Sequence, residues 1–272
     1  MQTSASLTER QQRELEYHRA HAIENEALLT RPFSWDVVER PAVRWWNAYW
    51  QMYVYLTRLG LAGKRVLVVG CGFGDDALRL ARLGAEVSAF DLSPESLSIA
   101  RRLADREHLR VRFDEMPAER LVYPDAHFDV VVARDILHHV DIPPTLAEIA
   151  RVSRDGAVLV VNEIYSHSIT ERVRRSSFVE RTLYPALRRF VYSRDRPYIT
   201  EDERKLTEAD LALVTARLAR IDVEKHFNMV VTRLVPDRFE MLARADRLAM
   251  MALRPIGRHL AGRVLVAGPV AR

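Results

Sequence analysis

The 272-residue chain is short of several things, and each shortage removes a class of protein. Its one cysteine, Cys71, excludes an intramolecular disulfide framework and a cysteine-based zinc cluster, and no metal is expected. No stretch reaches the roughly 18 to 20 uninterrupted apolar residues that a membrane-spanning helix needs. The first residues, MQTSASLTERQQRELEYHRAH, are polar, unlike the charged start and apolar core of a secretory leader, so the expected compartment is the cytoplasm. Lysine is scarce, with 38 of the 41 basic residues arginine, and the net charge of +4 admits nucleic acid or anionic lipid as partners without indicating either. Internal repeats and low-complexity tracts are missing too.

What is present is an ordinary globular composition, 48% hydrophobic and 29% charged, that can bury the core of one main domain. Residues 7–59 carry apolar positions at mixed spacings of three and four, interrupted by Pro32 and Pro41, which predicts two or three helices. Trp45, Trp46, Tyr49, Trp50, Tyr53 and Tyr55 spread over more than one helical face, so some should meet a core and others a pocket or lid. From Arg65 the pattern alternates: RVLVV, a helix over about 75–83, EVSAF, a helix over about 94–107, a short strand near 109–113, FDVVVA, a helix over about 143–152, and AVLVVN. Continuous apolar strands between amphipathic helices predict a doubly wound, Rossmann-like α/β sheet covered on both faces.

The alternation stops after Glu163. Helices are expected within 168–193 and from Glu208 behind the cap Thr207, then a strand near 224–233, a helix over about 237–251 and a last strand, RVLVAG, at 263–268. The chain divides into an N-terminal helical cap (1–60), a core (61–165), a helical insertion (166–222) and C-terminal elements completing the sheet (223–272).

The turn VVGCGFGDD sets Gly70, Gly72 and Gly74 between a strand and a helix, where glycine lets backbone amides approach a ligand. Asp91 ends the next strand, where a carboxylate can accept both hydroxyls of an adenosine ribose. A ligand-free turn would also use the glycines, and capping of the next helix would also use Asp91. Between cofactors, the loop decides: the third glycine comes one residue earlier than in a dinucleotide-binding GxGxxG. Asp75 and Asp76 at the helix start would repel a pyrophosphate yet tolerate an ammonium group.

Four segments in order, VLVVGCGFG, AFDLSPESLSIARRLA, FDVVVARDILHHV and LAEIARVSRDGAVLVVNE, resemble the class I S-adenosylmethionine-dependent methyltransferases, particularly the small-molecule group called type 11, over roughly 62–165. The resemblance implies a seven-stranded sheet with an antiparallel last strand, and S-adenosylmethionine as cofactor with S-adenosylhomocysteine as product. It implies that Gly70, Cys71, Gly72 and Gly74 line the methionine part, that Asp91 holds the ribose and that Leu92 packs on the adenine. Ala118 and Glu119 align near the adenine, but Pro117 stands at the family's amine-reading aspartate, for which Asp114 or Glu115 could substitute. Arg134 is expected to contribute its backbone at the methionine end.

Methyl transfer from a sulfonium is an in-line displacement, so the protein must align the nucleophile and, for a hydroxyl, remove its proton. ARDILHHVD offers Arg134, Asp135, His138 and His139, and the fifth strand offers Asn162 and Glu163, followed by His167. His138 or His139 oriented by Glu163 is the expected base, with packing or helix capping as the competing role.

Residues 172–196 hold eight arginines against two acids, and 238–263 hold six against two. Such segments cover a site, bind an anionic acceptor, rest on a membrane surface or simply face solvent. The first one sits where this family commonly inserts substrate-covering elements. The leading expectation is methylation of a small or lipid-like acceptor, anionic if the arginines contact it, at oxygen in biosynthetic metabolism; oligomers are compatible with it. RNA methylation is disfavoured because NEIYSH does not resemble NPPY-type tetrapeptides. A non-catalytic cofactor-binding partner or regulatory protein and a nicotinamide-dependent oxidoreductase are the other classes.

Overall fold

A computed structural model of the chain describes residues 7–183, 185, 204–232, 235, 236 and 238–271. Strand β1 (Arg65–Val69) lies between β2 (Glu86–Asp91) and β4 (Phe128–Arg134), parallel to both. β3 (Val111–Glu115) extends one side, and β5 (Ser153–Ile164), β7 (Arg263–Pro269) and β6 (Val223–Phe227) the other, giving the order β3-β2-β1-β4-β5-β7-β6. β7 runs antiparallel to both its neighbours, so the seven-stranded sheet has the expected antiparallel last strand. Strand order reverses at β1, and the connections after β1 and β4 leave in opposite directions, opening a crevice at the carboxyl ends of the strands.

Both faces are covered because alternate residues of the central strands are apolar in both directions. Val66, Val68, Val130 and Val132 form one buried cluster with Met52, Tyr53 and Leu56 of α3 (Ala48–Arg58). Leu67, Val69, Val131 and Ala133 face the other way, against Leu146 and Ile149 of α6 (Ile142–Val152). Each fully buried aliphatic or aromatic side chain stabilises by roughly 1.5–3 kcal/mol. α3 is therefore a wall of the core, which corrects its place in a cap. The part of that cap that lies over the crevice is α1 (Glu9–Glu24), which also packs on α5 (Pro94–Arg106).

The remaining differences are local. β5 starts at Ser153, ahead of the expected AVLVVN, and β6 stops at Phe227 because Asn228 takes φ 62° and turns the chain. The insertion carries α7 (Ser168–Arg174), a π-helical turn (Val179–Leu183) and α8 (Glu208–Thr215). Thr207 caps α8 in a reciprocal box with Asp210. α9 (Glu240–Ala252) and α10 (Arg254–Leu260) precede β7. Arg188, Arg189, Arg194, Arg196, Arg233 and Asp237 lie outside the described residues. No helix among the described residues is long and apolar enough to cross a membrane.

Candidate active site

A cavity of about 450 Å³ occupies the crevice, within the size range of small-molecule sites. Gly70, Cys71 and Gly72 form one wall. Gly70 has φ 61°, and a Cβ there would come 2.4 Å from the Ile136 side chain, so glycine is required on both counts. A Cβ on Gly72 would meet nothing within 4 Å, which leaves its backbone open to a ligand. Gly74, expected beside the cofactor, is not among the lining residues. A Cβ there would lie 2.9 Å from that of Ala100, so this glycine permits close packing of α4 (Asp75–Arg82) on α5.

Asp91 lines the cavity with its carboxylate anchored from behind. Oδ2 accepts the Gly72 N–H at 2.8 Å and Oδ1 the Ser93 N–H at 3.0 Å. The α5 cap is Ser93, whose hydroxyl accepts the Ser96 N–H, so capping does not account for Asp91. Leu92, Pro117, Ala118 and Glu119 complete this end. Neither Asp114 nor Glu115 lines the cavity. Asp114 is engaged by the Tyr123 hydroxyl at 2.9 Å and by Arg112 at 2.8 Å, so it does not replace the missing aspartate.

At the other end the two acids of the helix start part company. Asp75 lines the cavity, whereas Asp76 is turned inward and buried. Asp76 Oδ1 accepts the hydroxyls of Tyr49 at 3.0 Å and Tyr53 at 2.7 Å, and Oδ2 accepts Arg134 Nε at 2.6 Å. Burial pushes the Asp76 carboxyl up, but Arg134, Tyr53 and Arg79 together hold it below the usual value. Only Asp75 therefore presents the negative charge expected of both. Arg134 is more than a backbone contributor: its guanidinium also binds Asp135 at 2.9 Å and lies 4.9 Å from the Tyr49 ring. Asp135, at φ 53°, is held in the left-handed region by its second ion pair, with Arg263 at 2.5 Å. Arg263 in turn donates to Asn162 Oδ1 at 2.8 Å.

Glu163, fully buried behind the cavity wall, gathers three donors. Its Oε1 accepts the N–H groups of Ile136 and Leu137, both at 2.6 Å, and its Oε2 lies 2.8 Å from His138 Nδ1. His138 and His139 both line the cavity, ring centroids 4.1 Å apart. His139 has a different carboxylate: its Nδ1 is 3.1 Å from Oε2 of Glu14, a buried residue of α1. Asn162 and His167 do not line the cavity. His167 accepts the Ile169 N–H at the start of α7 and lies 3.0 Å from His259.

Residues 67–161 match the family described as a methyltransferase domain. That match takes in about a third of the chain and is to a methyltransferase domain. Over 110 residues the chain is 37% identical to the ubiquinone biosynthesis O-methyltransferase of Psychrobacter cryohalolentis, covering 39% of this chain and 43% of that protein. Over 117 residues it is 40% identical to the demethylmenaquinone methyltransferase of Thermus thermophilus, covering 42% and 53%. The chain thus spans about half the length of these curated relatives. The geranyl diphosphate C-methyltransferase of Streptomyces coelicolor superposes over 98% of this chain and 100% of its own, with TM-score 0.58 and 15% identity, a likeness of fold.

Beyond the matched segment, the cavity is completed by residues the motifs did not reveal. α1 closes the cavity with Gln11 and Glu14: Gln11 Nε2 donates to Glu119 Oε2 at 3.0 Å, and Arg10 donates to the His138 carbonyl at 3.2 Å. Arg263 comes from the last strand. Arg134, Asp135 and Arg263 also line a neighbouring cavity of about 210 Å³ together with Trp46, Tyr49 and the 228–232 turn. The aromatic cluster was a visible signal for this second cavity. Nothing local marks Glu14 or Arg263.

Proposed function

We propose that the chain binds S-adenosylmethionine in the larger cavity and methylates a small hydroxylated acceptor seated toward the smaller one, with His138 as general base. The observation that carries this reading is the Glu163–His138 pair, whose histidine lines the same cavity as Gly72 and Asp91. The residues suit the cofactor: Asp91 would hold the ribose, Leu92 and Ala118 the adenine, and the Gly70–Gly72 turn with Asp75 the amino-acid end. When bound, the cofactor supplies an electrophilic methyl group on sulfur.

The protein's own task is then to position and deprotonate. Glu163 Oε2 takes the Nδ1–H of His138, which makes Nε2 the basic nitrogen, and the Ile136 and Leu137 amides keep that carboxylate from turning. A hydroxyl bound against Nε2 would give up its proton to that nitrogen, leaving an oxygen nucleophile for the methyl group the cofactor would supply. α1 restricts water at the cavity mouth. In the smaller cavity Arg134 and Arg263 already have carboxylate partners, so a planar ring against Trp46 and Tyr49 is favoured over an anion. The relative named as an O-methyltransferase of ubiquinone biosynthesis supports oxygen as the methylated atom and a lipid-like acceptor class.

The test is S-adenosylhomocysteine production across a panel of hydroxylated aromatic and quinol acceptors, followed by His138→Ala, His139→Ala and Glu163→Gln with the best one. His138→Ala and Glu163→Gln should lower kcat by roughly 100-fold while His139→Ala costs far less. Loss confined to His139→Ala would move the base to the Glu14 pair. Rates unchanged in all three, or tight cofactor binding without turnover of any acceptor, would refute the proposal.

A further inference from the structure

A second charged feature lies away from the methyl-transfer site. A groove of about 840 Å³ runs between β6, α9, α10 and the residues around α3, and it shares no lining residue with either cavity above. Four cations line it, Lys225, Arg247, Arg254 and Arg258, against one carboxylate, Glu224.

None of the four forms an ion pair with a carboxylate among the described residues. Arg247 is partly buried with its guanidinium 4.1 Å from the Phe227 ring and Nη1 donating to the His226 carbonyl at 2.7 Å, while its Nε is buried with no acceptor among the described residues. Lys225 Nζ donates to the neutral Gln51 amide at 2.8 Å. Burial, Arg247 and Arg58 push the Lys225 ammonium down, and burial and Arg254 do the same to Arg247, outweighing the Asp246 carboxylate that acts the other way. Partly buried cations usually have ion-paired counter-anions, and here neither Lys225 nor Arg247 has one among the described residues.

We propose that this groove is a binding site for a phosphate-bearing anion. A planar carboxylate occupies one guanidinium fork, whereas a phosphate group presents oxygens in several directions and enough charge to meet guanidinium and ammonium groups on three sides. Trp45, Met251 and Pro255 add an apolar wall for the body that carries the phosphate. Leu248 and Ile256, exposed at 56% and 48%, continue that apolar character onto the outer surface of α9 and α10. The phosphate could therefore belong to a free metabolite or to a lipid headgroup.

Two arms test this with the full chain. Inorganic phosphate is titrated at constant ionic strength against a chloride control, read by calorimetry and by tryptophan fluorescence. In parallel, the protein is sedimented with phosphatidylglycerol or phosphatidylcholine vesicles. The expected result is saturable phosphate binding, for a soluble ligand, or selective sedimentation with phosphatidylglycerol, for a headgroup. Arg247→Gln should weaken it by about tenfold or more. Arg254 and Arg258 are exposed, so Arg254→Gln and Arg258→Gln carry the test without disturbing the Phe227 contact. S-Adenosylhomocysteine affinity should be unchanged in those two, which separates this site from the methyl-transfer reading. Binding to neither probe, or binding that survives all three substitutions, overturns the proposal.

Discussion

Replacing Asp91 by alanine tests the cofactor end of the cavity without knowledge of the acceptor. The substitution removes both carboxylate oxygens at once: Oδ2, 2.8 Å from the Gly72 amide, and Oδ1, 3.0 Å from the Ser93 amide. It therefore acts twice. On the proposed reading the ribose would lose its charged acceptor, and a hydrogen bond to a charged group is worth roughly 1.5–3 kcal/mol, so S-adenosylhomocysteine should bind about 10- to 150-fold more weakly. The two amides lose their partner as well, but the cavity admits water to them, so the global cost should stay near 1 kcal/mol. Asp91→Asn, which keeps one neutral acceptor oxygen, should fall between wild type and alanine. Calorimetric titration with S-adenosylhomocysteine measures the first effect and urea unfolding the second. An alanine variant that binds within about threefold of wild type would remove Asp91 from the ligand's reach, whatever its stability.

Further outcomes follow from the buried network and the glycine turn. Asp76→Asn should cost roughly 3 kcal/mol at pH 7 by leaving Arg134 short of a buried partner. Because the Asp76 carboxyl is held below its usual value, its contribution is present above about pH 4 and lost as pH falls through the lowered folded-state value. The urea-unfolding gap between wild type and variant should therefore narrow as pH falls below about 4, and a gap independent of pH would refute the ion-pair account. Gly70→Ala forces an alanine into φ 61° and against Ile136, which should lower Tm and weaken S-adenosylhomocysteine binding through the displaced loop. Gly70→Ala with Ile136→Ala should recover part of the lost Tm, and no recovery would place the strain in the backbone alone.

The parts legible in sequence are those set by neighbouring residues. RVLVV, EVSAF and FDVVVA alternate with amphipathic helices, so the parallel sheet follows from local pattern, and Thr207 with Asp210 marks a helix start because a cap involves residues three apart. The acid at the end of β2 lies beside the glycine turn because β1 and β2 pair in register, Val69 opposite Phe90. Element ends were less legible: Asn228 ends β6 through a backbone angle that no hydrophobic pattern encodes.

The sequence by itself thus determined the doubly wound sheet and the strand ends and turns that carry Gly70, Gly72, Asp91, His138 and His139, because these depend on short-range periodicity. Only the tertiary structure decided which carboxylate lies beside which histidine. Glu163 meets His138 across 25 residues, but Glu14 reaches His139 only because α1 lies over the crevice. It also decided that adjacent Asp75 and Asp76 do opposite things. Successive side chains on a helix point about 100° apart, and the packing of α3, with Tyr49 and Tyr53 beside Arg134, selects which of the two is drawn inside. Arg263 joins Asp135 from 128 residues away, a pairing set by the antiparallel return of β7 along β5. Such partners carry no mark in the chain, since what defines them is proximity created by folding.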